Sequence, residues 1–307
     1  MKKIVAFDIG GTAIKSAIFD DKGTLQEKWS FETPRQNGDL AVFEGLKAAI
    51  EEKGLKKDDI LGIGIGVPGP VKDGVVEGAV NLGWEKVDVK KQLIEALGYD
   101  VPVFVGNDAN IAAVGEYSRR SEPIRSMLFV TLGTGVGGGI VLEGTMHEGA
   151  TGSGAEIGHM RMTDEGIQCN CGLYGCLETL TSATAVSRLM VEAIEKGAKS
   201  SIADIEYVNA KTVFDHAKNG DETALSVVDY VCDTLGDALA KINAVIDVPL
   251  ILIGGGLSNA GEFLIHKVQA SYEKNAFHAT RGAEIKLAQL GNDAGIYGGA
   301  YLVMNHG

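Results

Sequence analysis

Short apolar runs closed by glycine turns alternate along this chain with segments whose apolar residues recur every three or four positions. The first pattern reads as buried strand and the second as helix. Strands are predicted at Ile4–Ile9, Ile14–Phe19, Leu25–Thr33, Ile60–Val67, Val103–Val105, Met127–Leu132, Gly137–Leu142 and Leu250–Ile253. Helical spacing covers 39–53, where Leu40, Phe43, Leu46, Lys47 and Ile50 share a face, and then 88–97. Further helices are expected after Asn107-Asp108 and over 181–196, 211–218, 221–247, 259–274 and 293–304. In 221–247 the row Val227, Val231, Leu235, Leu239, Ile242 and Ile246 reads as core. Strands alternating with helices predict an α/β fold.

The pattern repeats. Met127–Leu132, Gly133-Thr134-Gly135 and Gly137–Leu142 restate Ile4–Ile9, Gly10-Gly11-Thr12 and Ile14–Phe19, which points to two related halves. A chain of 307 residues is long enough to divide in this way. Its 42 glycines cluster beside strands, where a backbone without Cβ lets something approach closely. Gly295, Gly298 and Gly299 say the same of the last helix.

Charge narrows the functional classes. A formal net charge of −13 argues against a nucleic-acid or membrane surface. It leaves room for a nucleotide, since backbone N–H groups hold a single anion whatever the global charge. No stretch approaches the ~20 apolar residues of a membrane span. Met1-Lys2-Lys3 leads into a strand containing Asp8 rather than into a signal peptide. The expectation is a soluble, cytoplasmic protein with no nucleic-acid or membrane partner.

Three glycine turns follow buried strands: Gly10–Thr12, Gly133–Gly135 and Gly254–Gly256. Each is readable as a tight hairpin or as a phosphate cradle; three in one chain, with Asp8 before the first, favour a nucleotide. The P-loop signature fails, because Ile14 and not glycine stands directly before Lys15-Ser16. Gly133, Gly135 and Gly138 spell a dinucleotide fingerprint, but Ile140-Val141-Leu142 continues as strand where that motif needs a helix. His159, Cys169, Cys171 and Cys176 form H-x9-C-x-C-x4-C, a donor set for structural Zn²⁺, with reduced thiols beside an unrelated histidine as the alternative. Cys232 reads as a small buried hydrophobe. Asn107-Asp108 is either a helix N-cap or a carboxylate at a strand end, where α/β sheets place their ligands. Glu156 and Glu178 are surface charges if taken singly, and neighbours if a zinc knot gathers the chain between them.

Together these residues resemble the ROK family of sugar kinases, and within it the bacterial glucokinases. Asp8-x-Gly10-Gly11-Thr12, with Lys15 nearby, is similar to the first phosphate motif. Val67-Pro68-Gly69-Pro70 is similar to the sugar-cleft loop, Asn107-Asp108 to the sugar-binding and catalytic pair, and Leu132–Gly139 to the second phosphate motif. Glu156-Ile157-Gly158-His159 and the run Cys169–Glu178 resemble the sugar-and-zinc signature, and Gly254-Gly255-Gly256 the adenosine-side loop. The resemblance implies two ribonuclease-H-like, actin-type domains around a cleft: 1–107 with 294–307, and 108–293, which carries the zinc site. It implies ATP and Mg²⁺ as cofactors beside structural Zn²⁺, and a homodimer. Asp108 would be the general base on a hexose 6-hydroxyl, with Asn107, Glu156, His159 and Glu178 on the other hydroxyls. One His159 nitrogen would bind zinc and the other face the sugar. Thr12 and Thr134 would contact phosphates, and Asp8 would orient hydrated Mg²⁺. Glucose is the expected substrate; mannose, fructose, allose or an N-acetylated amino sugar are alternatives, and polyphosphate is an alternative donor. Asn81-Leu82-Gly83-Trp84 is expected at the sugar's 2-position. The competing readings are a sugar-responsive repressor, for which the residues before Asp8 leave no DNA-binding segment, and a non-catalytic sensor.

Overall fold

The computed structural model describes residues 2–34, 38–122 and 124–306. Its first half comprises β1 (Lys3–Ile9), β2 (Ala13–Asp20), β3 (Leu25–Glu32), α1 (Asp39–Glu52) and β4 (Ile60–Val67). Three two-residue strands follow, β5 (Val71–Lys72), β6 (Val75–Val76) and β7 (Val87–Asp88), then α2 (Val89–Leu97) and β8 (Val103–Asn107). Next come α3 (Asp108–Ser118), β9 (Met127–Leu132), β10 (Val136–Leu142), β11 (Thr145–Met146), α4 (Leu177–Thr181), α5 (Ala183–Glu195) and α6 (Ala210–Lys218). The chain closes with α7 (Glu222–Ile246), β12 (Leu250–Gly254), α8 (Glu262–Asn275), β13 (Glu284–Leu287) and α9 (Ala294–His306).

The repeat seen in the sequence is a repeat of topology. One five-stranded sheet runs β3-β2-β1-β4-β8 and the other β11-β10-β9-β12-β13. In each, an antiparallel meander of three strands is extended by two parallel ones. The small hairpin set β5-β6-β7 forms a third sheet.

Two helices exchange places between the sheets. α3 leaves β8 of the first sheet and packs Ala113 and Val114 against Met127, Phe129 and Val141 of the second. α9 follows β13 of the second sheet and packs Ile296, Ala300 and Val303 against Ile4, Ala6 and Phe19 of the first. α1 and α2 cover the other face of the first sheet, and α5, α6, α7 and α8 that of the second. Where α3 and α9 cross, a Cβ on Gly298 would lie 1.9 Å from the Ile111 carbonyl oxygen, and one on Gly115 2.1 Å from that of Ala294. The glycine cluster of the last helix is therefore the seat of a backbone-to-backbone contact.

Four expectations need correction. Leu40 is 62% exposed, and Val42 takes the core position beside Phe43 and Leu46. The helix expected over 181–196 is α5, but a short helix that was not expected, α4, precedes it; Ser182 adopts extended backbone angles between the two, and its hydroxyl accepts the Ala185 N–H to open α5. β13 escaped notice because Glu284 and Lys286 interrupt its apolar pattern at a sheet edge. The strand predicted to end at Val105 runs to Asn107. Side-chain caps mark three further helix starts: Asp88, Asn209 and Asp221 accept N–H bonds at the starts of α2, α6 and α7. Among the described residues no helix is long and apolar enough to cross a membrane.

Overpacking the crossing is expected to be costly. Gly298→Ala should lower stability by about 2–3 kcal/mol, because neither backbone has room to move aside. Gly282→Ala, with open space around it, should stay within ~0.5 kcal/mol. Thermal unfolding of the two variants beside the parent protein checks both.

Candidate active site

A cleft of about 1000 Å³ opens between the two sheets, at the upper end of the roughly 300–1,000 Å³ usual for ligand sites. It is built from strand ends and helix starts. β1 delivers Asp8, β8 ends in Asn107, α3 begins with Asp108, and β12 ends in the turn Gly254–Gly256. The turn between β9 and β10 contributes Gly133 and Gly135. Glu156, His159 and Glu178 line the cleft as well.

Asp8 and Lys15 are cross-strand neighbours in β1 and β2, and the Lys15 ammonium donates to Asp8 Oδ2 at 3.1 Å. Behind Asp8 lies α9: a Cβ on Gly295 would meet the Asp8 Cγ at 2.6 Å. Asn107 caps α3, its Oδ1 accepting from Ala109 N–H at 3.0 Å and Asn110 N–H at 3.1 Å. Its amide donates to the Gly69 carbonyl at 3.1 Å, which fixes the Pro68-Gly69-Pro70 loop on the cleft rim. Both sequence readings of Asn107-Asp108 hold together: the pair opens a helix and faces the cleft.

Burial pushes the Asp108 carboxyl up to about 6, against a stabilising bond from the Ala109 N–H, and the Asp8 and Glu156 carboxylates add to the rise. Burial also raises Glu156, opposed by His159 and assisted by Glu178. A carboxylate poised near neutral pH suits proton transfer.

Beside the cleft, the ligand atoms of His159, Cys169, Cys171 and Cys176 all lie within 4.8 Å of one another. His159 Nδ1 is 3.5 Å from Cys169 Sγ, and the sulfurs of Cys171 and Cys176 are 3.6 Å apart. A tetrahedral zinc with ~2.3 Å bonds to sulfur would set these edges at about 3.5 and 3.8 Å, so the donors fit. Burial, then the neighbouring thiols, push Cys176 up to about 12. Burial raises Cys169 as well, whereas the Leu173 N–H lowers Cys171, so two of the three thiols need a cation in their midst to ionise readily. Since Nδ1 faces the thiols, the other ring nitrogen of His159 is left for the cleft.

The first turn is less central than expected. Gly10, Gly11 and Thr12 are not among the residues lining the cleft, and Thr12 is exposed. Gly11 abuts the Asn81 carbonyl, 3.0 Å from where its Cβ would be. Thr134 is likewise exposed while its two glycine neighbours line the cleft. Asn81 reaches the cleft, but Trp84 turns inward and stacks on Phe43. Cys232 is core, as expected. Sequence reasoning missed Ser258, Asn259 and Asn292 on the cleft wall; their adjacency to Gly256 and Gly291 was the available signal.

The profile of the ROK family matches residues 4–306. The chain is similar to a glucokinase of Halalkalibacterium halodurans, 40% identical, with 97% of this chain and 94% of the relative covered. It is also similar to an N-acetylmannosamine kinase of Escherichia coli, 29% identical over 98% of both chains. Among solved structures it resembles a ROK family glucokinase from Streptomyces griseus in complex with glucose and AMPPNP, with a TM-score of 0.79, 29% identity and 98% of both chains covered.

The cysteine geometry predicts bound metal in the purified protein. Elemental analysis should find zinc equimolar with chain, and Cys171→Ser should lose it and weaken hexose affinity by roughly tenfold or more. A metal-free variant with unchanged hexose affinity would contradict the assignment.

Proposed function

The chain belongs to the ROK family, and from that premise we propose that this hexose kinase transfers the γ-phosphoryl group of ATP to the 6-hydroxyl of glucose. The observation that carries the reading is the place of Asp108: first residue of α3, in the cleft wall, within one pocket with the Gly133–Gly135 turn and with Glu156, His159 and Glu178. A base, a set of hydroxyl acceptors and a glycine turn in one cleft are the parts that phosphorylation of a polyol needs.

In this mechanism Glu156, Glu178 and the free ring nitrogen of His159 take the sugar's hydroxyls and turn one toward Asp108. Asn107 adds its remaining amide hydrogen, since the rest of its side chain is committed to Gly69 and the helix cap. Asp108 accepts the proton of the attacking hydroxyl as its oxygen bonds to the γ-phosphorus and the bond to the β-γ bridging oxygen breaks, releasing ADP. Glycine backbone at 133–135 and 254–256 would receive the triphosphate and adenosine, since Gly133, Gly135 and Gly254–Gly256 line the cleft. Asp8 presents hard carboxylate oxygen in the cleft, the donor Mg²⁺ prefers beside phosphate. Mg²⁺ bound there would neutralise phosphate charge. His159, Cys169, Cys171 and Cys176 fit a closed structural zinc site, which would hold the His159 ring in orientation. The described residues of 1–107 with 294–307, and those of 108–293, are the two walls that would close on the substrates.

The test is a coupled ADP-release assay with ATP–Mg²⁺ against hexoses and N-acetylhexosamines, the latter because of the N-acetylmannosamine kinase relative. Glucose is expected to be turned over far faster than the rest; no turnover on any sugar by zinc-loaded protein would overturn the reading. Asp108→Asn should lower kcat by about 10²–10⁴-fold while sugar binding persists. In the parent protein kcat/KM should rise with pH as Asp108 ionises through about 6 and level off above it. A flat profile from pH 5 to 8 would remove Asp108 from the role of base.

A further inference from the structure

The Gly133–Gly135 turn is tied down from outside itself. The Ala183 N–H donates to the Gly133 carbonyl at 2.8 Å, and the Thr184 hydroxyl donates to the Thr134 carbonyl at 2.8 Å. At the end of the turn the Val136 N–H donates to Glu178 Oε2 at 3.0 Å. The same oxygen lies against the turn, 2.2 Å from where a Cβ on Gly135 would sit. Its partner Oε1 is 3.8 Å from Cys169 Sγ. All three ties come from α4 and α5, which follow directly on Cys176.

We propose that Glu178 is a positioning residue for the nucleotide as well as a sugar ligand: through it, the cysteine knot holds the 133–135 turn in the shape that receives the triphosphate. The inference rests on reading that turn as the phosphate loop. Without an acceptor the Val136 N–H, at a residue only 6% exposed, is orphaned, and a turn with glycine at both ends would rest on its internal bond from the Gly133 N–H to the Gly135 carbonyl, 2.9 Å, and on the two ties from α5. The arrangement also accounts for an acid so close to an anion site. What the turn uses is an acceptor at that point, and Oε2 is turned to the Val136 amide rather than to phosphate.

A sugar ligand alone would not alter nucleotide affinity when sugar is absent, and this separates the two roles. The experiment is calorimetric titration of full-length, zinc-loaded protein with AMPPNP–Mg²⁺ in the absence of sugar. Glu178→Ala should weaken binding by about tenfold, the loss of one buried acceptor. Glu178→Gln keeps an acceptor for Val136 and a donor for the sulfur, so its nucleotide affinity should stay within about twofold while glucose affinity falls. Thr184→Ala removes only the bond to Thr134, and should weaken the analogue by roughly two- to fivefold with zinc content and glucose affinity unchanged. Parental AMPPNP affinity in zinc-replete Glu178→Ala would overturn the proposal, as would equal weakening by Gln and Ala. Should Glu178→Ala lose zinc or fail to fold, Thr184→Ala decides: parental affinity there counts against the tether. Failure of the parent protein to bind AMPPNP would instead sink the kinase reading itself.

Discussion

The contact on which the site depends is the crossing of α3 and α9. Two helices meet there backbone to backbone, because Gly115 and Gly298 leave nothing between them and the carbonyls of Ala294 and Ile111. Side chains reinforce the geometry: buried Glu116 of α3 accepts N–H bonds from Gln289 at 3.0 Å and Leu290 at 2.7 Å, just ahead of α9. Each helix begins at the cleft. Asp108 opens α3, and Gly295, in the first turn of α9, fits against Asp8. The distance between the two carboxylates is thus set by a crossing that admits no side chain. Since α3 rests on one sheet and α9 on the other, that crossing also joins the halves.

Much of this was legible in the sequence, for a physical reason. Buried parallel strands such as Ile60–Val67 and Leu250–Ile253 are continuous apolar runs, because both their faces are covered. The zinc donors were legible because a tetrahedral site made from one short loop demands close spacing. The edges of the second sheet were not: Glu284 and Lys286 in β13 obey no apolar rule, and two-residue strands such as β11 are too short to show a period. Leu40 misled because a helical row counts faces without saying where the core stops. α4 escaped because the five residues between Cys176 and the Ser182 cap are too few to show a helical period. For the cleft, the chain order of motifs located Asp8, Asn107, Asp108, Glu156, His159 and Glu178. It said nothing of which turn residues face inward, since Thr12 and Thr134 project from loops whose direction the tertiary fold decides.

The electrostatics of the cleft divide its labour. Among the residues lining it, four carboxylates, those of Asp8, Asp108, Glu156 and Glu178, stand against one lysine and one histidine. Such a lining favours a neutral polyol, whose hydroxyls donate to carboxylates, and it raises Asp108 by burial and by the proximity of Asp8 and Glu156. It repels a bare triphosphate. An anion enters a chain of net charge −13 only if its charge is met locally, by backbone N–H groups on glycine turns and by a divalent cation at a carboxylate. The glycines, the acids and the cysteine knot then answer one requirement. On the proposed reading, acids select the sugar, glycine backbone admits the phosphates those acids would exclude, and the knot, through Glu178 and His159, holds the two sets in register.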